Sequence, residues 1–350
     1  MMSSFPRYGL AAAALVSLVA ASVSVHAAPA EDFYKGKQII LILSTDVGGG
    51  YAASANAIIP YLSANIPGRP RIIMQNMPGA GGVRAMNYLY TAAPKDGTRI
   101  GLVQAMSPYA PLFGVEAAKY DPRRMNWLGS LEKSTGICVA WATSGIRTWQ
   151  DVFDKQFVVG ASGAGSQMET LPLMVNKLFG TKIKVVSGYK GGNEVFLAME
   201  RGEVHGRCGS FASTITATRP EWFSQKKIAV PFQIALERDP EFPDVPALGE
   251  FAKDTRTKQV LELVASHMAM DRPMVMPPGV PPERVAILRK AFQAAVNDPA
   301  FIAEAKRQRL DIDAVAGEGV AQLLTNAYAM PTDVVSAARE ALNLTGASAK

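Results

Sequence analysis

The chain is 350 residues long, 19% charged and 48% hydrophobic, with 30 Gly, 23 Pro and 2 Cys. That composition excludes a disordered, collagenous, coiled-coil or disulfide-scaffold protein, and the length suits about two domains, each able to bury a core without staples. The 36 Lys and Arg against 30 Asp and Glu leave a net charge of +6, too modest an excess to argue for nucleic acid as a partner.

The N-terminus reads as a processing signal. Arg7 precedes an apolar run over residues 10–21, and Val25-His26-Ala27 follows at the positions a signal peptidase reads. Cleavage is expected after Ala27, which makes residues 1–27 a signal peptide and leaves His205 and His267 as the mature chain's histidines. The apolar run is shorter than the ~20 residues of a spanning helix, so the expectation is an exported, soluble protein.

In the mature chain, residues 37–43 form a short apolar run that reads as a buried strand, stopped by Ser44-Thr45-Asp46 and then Gly48-Gly49-Gly50. Residues 51–65 follow as a helix with Ala55, Ile58, Ile59 and Leu62 on one face. The order repeats as strand 71–75, the loop Pro78-Gly79-Ala80-Gly81-Gly82, helix 83–92, a turn over 94–97 and strand 100–106. Further strands are expected at 125–131 and 137–141, then a short helix at 149–153. Strand 157–160 runs into Ala161-Ser162-Gly163-Ala164-Gly165-Ser166, followed by helix 168–179, strand 183–187 and helix 193–201. Two such α/β units, each with a glycine loop ahead of a helix, suggest two facing lobes; a strand over 228–236 is expected to lead back to the first, and the C-terminal third is read as helices at 283–296, 301–308 and 319–328. Strands alternating with helices through glycine turns point to an α/β protein with mainly parallel sheets.

The glycine loops carry the chemical argument. A loop that ends at a helix N-terminus offers free backbone N–H groups and the positive end of the helix dipole, so it holds a carboxylate or phosphate without a charged side chain. Dinucleotide fingerprints fail, because Arg84 and Met168 stand where Gly or Ala is required, and no Gly-Lys-Ser/Thr phosphate loop is present. Ser162 stands between a strand and a helix, as a hydrolase nucleophile does, but Ala164 replaces the final glycine of that elbow; His205 and His267 are the available bases. Glu203, His205 and Cys208 lack a second cluster of zinc-ligand spacing, so neither a metal nor a cofactor is expected. Cys138 and Cys208 either pair or sit apart as buried small hydrophobes, and both readings stay open.

Taken in order, several motifs resemble one family. They are Gly48-Gly49-Gly50, Asn76-Met77-Pro78-Gly79-Ala80-Gly81-Gly82, Pro94-Lys95-Asp96-Gly97-Thr98, the 160–166 loop, Tyr189-Lys190-Gly191-Gly192 with Glu203-Val204, Pro243-Asp244-Val245-Pro246 and Pro277-Pro278-Gly279-Val280-Pro281. Essentially end to end, the mature chain resembles the Bug family of periplasmic solute-binding receptors, the extracytoplasmic components of tripartite tricarboxylate transporters. The resemblance implies a two-lobe periplasmic binding protein of type II, a Venus flytrap. Residues 28–128 and 237–350 are then expected in lobe 1 and residues 129–236 in lobe 2. Carried over by position, the expected ligand contacts are Val47, Gly48, Gly49, Gly50 and Tyr51 in the first lobe and Ser162, Gly163, Ala164, Gly165 and Ser166 in the second, with Met106, Ser107 and Ser210 beside them.

The sequence also departs from the family. Val47, Ala52 and Asn56 replace the common Pro, Asp and Arg, and Gly209-Ser210 replaces an Asp or Asn. The lost Asp disfavours an amino-acid ligand. The expectation is therefore a monomeric, non-enzymatic receptor that hands a small organic acid to membrane transporter subunits, with a secreted Ser162 hydrolase or a sensor for a signalling kinase as rivals. The anion is expected to be held by backbone alone, with Gly49→Val abolishing binding.

Overall fold

A computed structural model describes residue 1, residues 30–163 and residues 166–342. Most of the expected signal peptide, Ala164 and Gly165 lie outside these described residues. The strands are β1 Gln38–Leu43, β2 Arg71–Asn76, β3 Arg99–Leu102, β4 Asn126–Glu132, β5 Gly136–Trp141, β6 Phe157–Ala161, β7 Ile183–Ser187, β8 Gly206–Phe211, β9 Ile228–Ile234, β10 Asp271–Met276 and β11 Val315–Ala316. They form a six-stranded sheet in the order β11-β4-β10-β3-β1-β2 and a five-stranded sheet in the order β7-β6-β8-β5-β9. Helices flank both sheets.

β1 shows why its residues are almost all apolar. Ile39, Leu41 and Leu43 enter one core while Ile42 enters another on the opposite face, so both faces of the strand are covered. The helix Gly50–Asn65 follows and buries Ala52, Ala55, Ile58 and Leu62, residues three and four apart. β1 runs parallel to β2 and β3, and β6 runs parallel to β7 and β8.

The sheets are mixed rather than mainly parallel. β10 is antiparallel to β3 and β4, and β5 is antiparallel to β8 and β9, because these strands carry the chain between the sheets and enter each from the opposite direction. The first crossing lies between Glu132 and Gly136. β4 pairs with β10 and β11 of the six-stranded sheet through its length, so the expected boundary at 128/129 cuts a strand in half. The strand expected at 228–236 lies in the five-stranded sheet as β9, and the chain re-enters the six-stranded sheet at β10.

The C-terminal region does not stay with the first sheet. The helix Thr332–Ala341 packs on both Thr255–Ala265 and Gln167–Phe179, the latter a helix of the five-stranded sheet. Lys177 Nζ and Glu340 Oε1 are 2.8 Å apart across that contact. One apolar core therefore runs from Val83, Tyr109 and Trp127 through Val264, Leu324 and Ala338 to Phe157, Leu171 and Val175. Cys138 and Cys208 are bonded across the neighbouring strands β5 and β8, both fully buried.

Candidate ligand-binding site

The carboxyl ends of the parallel strands of both sheets face a shared cleft, the usual position of ligand sites in open α/β sheets. It holds a cavity of about 270 Å³. The six-stranded sheet contributes residues 44–46, 48–51, 78–81 and Gln104 to its wall, each group directly following β1, β2 or β3. The other sheet contributes Ser162, Gln167, Met168, residues 189–193, Phe196, Arg207, Phe211, Thr214 and Thr218.

Two helices begin at this wall with glycine N-caps. Gly49 precedes the Gly50–Asn65 helix and Gly191 precedes the Gly192–Glu200 helix, and neither cap supplies a side-chain hydrogen bond. The first-turn N–H groups have no partners within their helices, and the dipole adds partial positive charge to them. Glycine is needed here for two separate reasons. Gly48 has φ +86°, a left-handed conformation. Gly50 has none, but a Cβ there would lie 2.7 Å from Thr214 Oγ1 and 3.1 Å from Arg272 Nη2, so its lack of a side chain lets the two sheets' elements meet.

Charge enters where the sequence offered only backbone. Arg207, in β8, is 7% exposed and lies over the Phe196 ring at 4.7 Å. Its guanidinium occupies the space a side chain at Gly192 would need. Burial lowers the Arg207 pKa to about 10, with the Asp46 charge opposing the shift, so the group is cationic at neutral pH. Burial raises the Asp46 pKa, and the nearby Arg207 charge pulls it back. The Asp46 carboxylate sits against Gly191, across the cleft from its own strand.

Beneath the cavity lies a buried cluster where the chain crosses between sheets. Glu132 ends β4, and Asp271 and Arg272 open β10. Arg272 Nη1 pairs with both Glu132 and Asp271, the latter at 2.7 Å, and Nη2 donates to Thr214 Oγ1 at 3.1 Å. Ser134 and Ser213 donate to Glu132 Oε1. Two carboxylates share one guanidinium, and burial pushes the Asp271 carboxyl up to about 7.

Of the residues expected from sequence, Gly48, Gly49, Gly50, Tyr51 and Ser162 border the cavity, while Val47 and Gly163 do not. Val47 is 67% exposed. Met106 and Ser107 are buried below the cleft, where Ser107 Oγ donates to Gln104 O at 2.7 Å; Gln104 is the wall residue after β3. Ser166 and Ser210 are fully buried away from the cavity wall, and their Oγ atoms have no hydrogen-bond partner among the described residues. Ala164 and Gly165 lie outside the described residues. Asp46, Gln104, Gly191, Asn193 and Arg207 were missed, although Gly191-Gly192 repeats the strand, glycine, helix signal of residues 48–50.

The histidines do not join Ser162. His205 Nδ1 accepts from Val158 N at 3.2 Å, and His267 is buried with its Nδ1 against Val264 O and its ring 6.1 Å from that of Tyr109. Neither borders the cavity. Among the described residues there is no group of three or more His, Cys, Asp or Glu placed to hold a metal ion, and no helix long and apolar enough to cross a membrane.

Two α/β sheets linked by crossing strands, with helix N-termini from both meeting at a shared cavity, define a two-lobe solute-binding protein. Residues 63–337 match the family described as tripartite tricarboxylate transporter family receptor, and the chain belongs to that family. It is 27% identical over 316 residues to the UPF0065 protein in the gbd 5′ region of Cupriavidus necator, covering 84% of each chain. Among solved structures it is similar to the periplasmic binding protein BugD, with a TM-score of 0.69, 17% identity and coverage of 88% of this chain and 98% of that one. It is also similar to MatC from Rhodopseudomonas palustris with bound malate, with a TM-score of 0.66, 19% identity and coverage of 85% and 99%.

Proposed function

We propose that the protein is a periplasmic receptor that captures a small organic carboxylate in the cleft between its sheets and delivers it to the membrane subunits of a tripartite tricarboxylate-type transporter. The observation that carries this reading is the meeting of two uncapped, glycine-opened helix N-termini with a buried arginine at one cavity. An acid group brought there exchanges water for backbone N–H donors and a cation in a partly desolvated site, which favours charge-assisted hydrogen bonds. The likeness to MatC, a protein solved with malate, supports the ligand class. The N-terminal pattern of Arg7, the apolar run and Val25-His26-Ala27 supports export with cleavage after Ala27. The receptor works as a monomer and makes or breaks no covalent bond.

The test is a thermal-shift screen of the purified protein against mono-, di- and tricarboxylates, aromatic acids and amino acids. A ligand that binds the folded state stabilises it by mass action, about 2.7 kcal/mol at a hundredfold excess over Kd. At least one carboxylate is expected to raise the melting temperature. A flat response to every acid, with ester hydrolysis and covalent labelling at Ser162, would overturn the reading.

A further inference from the structure

We infer that Arg207 is a second anion-binding point of the cavity, facing the glycine turn at residues 48–51, and that the ligand is a compact acid with an anionic group at each end. The inference deepens the carboxylate-receptor reading and rests on it.

Arg207 Nε and Nη1 are buried and have no hydrogen-bond partner among the described residues. Packing, rather than hydrogen bonding, holds the guanidinium in place. The Gly192 backbone lies on one side, where a Cβ would run into the group, and the Phe196 ring lies at 4.7 Å. The group is therefore preorganised, and its residue borders the cavity. A buried cation with unsatisfied donors is unfavourable, and an acid group that reaches the guanidinium lowers that penalty through charge-assisted bonds. Gly192 also opens a nine-residue helix, whose first N–H groups support negative charge at the same spot.

Asp46 makes the point selective. It reaches from the first sheet to the start of this helix, where its carboxylate fills the room a side chain at Gly191 would take, and its charge acts on Arg207. An acid with one anionic group can use the glycine turn and leave Arg207 to Asp46. An acid with two occupies both points and competes with Asp46 for the guanidinium.

Titration calorimetry of the purified protein with matched pairs, butyrate against succinate and hexanoate against adipate, tests this. The wild type is expected to prefer the diacid of at least one pair by about tenfold or more. Arg207→Gln is expected to weaken that diacid by roughly 10- to 100-fold, while changing the matching monoacid by less than about threefold. Asp46→Asn keeps the buried cation and is expected to strengthen diacid binding several-fold, so a folding defect in Arg207→Gln leaves the test intact. Equal losses for both acids of the pair in a folded Arg207→Gln, or a wild type that binds monoacid and diacid equally, would overturn the inference and leave the carboxylate reading standing. Failure of every acid to bind the wild type would overturn that reading as well.

Discussion

The Tyr51 hydroxyl donates to Asp271 Oδ1 at 2.6 Å, joining the first turn of a cavity-lining helix to the strand that returns the chain from the second sheet. The Tyr51 hydroxyl oxygen accepts in turn from the Ala105 N–H at 3.1 Å. Tyr51→Phe leaves that N–H without its partner inside the protein, while Asp271 Oδ1 keeps the Arg272 N–H at 2.9 Å. Leaving a buried polar group unpaired costs about 1–3 kcal/mol, and urea unfolding of the variant should show a loss in that range. An unchanged midpoint would mean that water replaces the hydroxyl.

The glycine turn can be probed position by position. Gly49 has φ −91°, and a Cβ there would stand 3.5 Å from Asp46 Oδ1, an ordinary contact. Gly49→Ala should therefore bind the best acid of the panel within about threefold of wild type, the poorer N-cap lowering stability rather than closing the cavity. The expectation that Gly49 is the critical glycine thus moves to Gly50. There a Cβ would run into Thr214, and Gly50→Ala should weaken binding by at least tenfold by holding the sheets' elements apart. Calorimetric titration of the two variants decides between the positions.

The bond between Cys138 and Cys208 spans 70 residues of sequence. A crosslink of that span restricts the unfolded chain by about 4 kcal/mol in the loop-entropy treatment. Cys138→Ala/Cys208→Ala should accordingly melt well below the oxidised wild type, and reductant should lower the wild-type melting temperature while leaving the double variant unchanged. Identical melting curves with and without reductant would contradict the pairing.

Two buried groups give opposing pH dependences. Burial holds His267 down at about 4, so the folded state keeps it neutral while the unfolded chain takes up a proton below about 6.5. Its contribution to stability is present above pH 6.5 and is lost as pH falls towards 4, about 3 kcal/mol in all. Asp271 runs the other way. Its folded pKa is raised to about 7, so stability from its retained proton is present below about pH 4 and is lost as pH rises through 7. Melting temperatures between pH 4 and 8 should fall more steeply with acid in Asp271→Asn than in wild type, and less steeply in His267→Phe.

The fold was legible where hydrophobic runs and glycines mark it. β1, its glycine turn and the helix after it follow directly from Ile39 to Leu43, Gly48-Gly49-Gly50 and the spacing of Ala55, Ile58 and Leu62. β8 and β10 were not read, because Gly206-Arg207-Cys208-Gly209-Ser210 and Asp271-Arg272-Pro273 carry charges, glycines and a proline where a strand is expected to be apolar. Those charges are buried because their partners arrive from distant sequence. Glu132 meets Arg272 across 140 positions, and Thr214 does so across 58. Periodicity reports a residue's neighbours along one element and contains no information about such pairs. For the same reason the cavity's backbone donors were foreseen and its arginine was not.

The apolar core shared between the sheets predicts that they melt as one unit. Val264, Leu324 and Ala338 lie in one continuous core with side chains of both sheets, so unfolding either lobe strips cover from the other. A destabilising change beside Phe157 should therefore be felt as far away as Trp127, with one calorimetric transition rather than two. The helix Thr332–Ala341 packs on helices of both halves, so any opening of the cleft has to break or shift that contact.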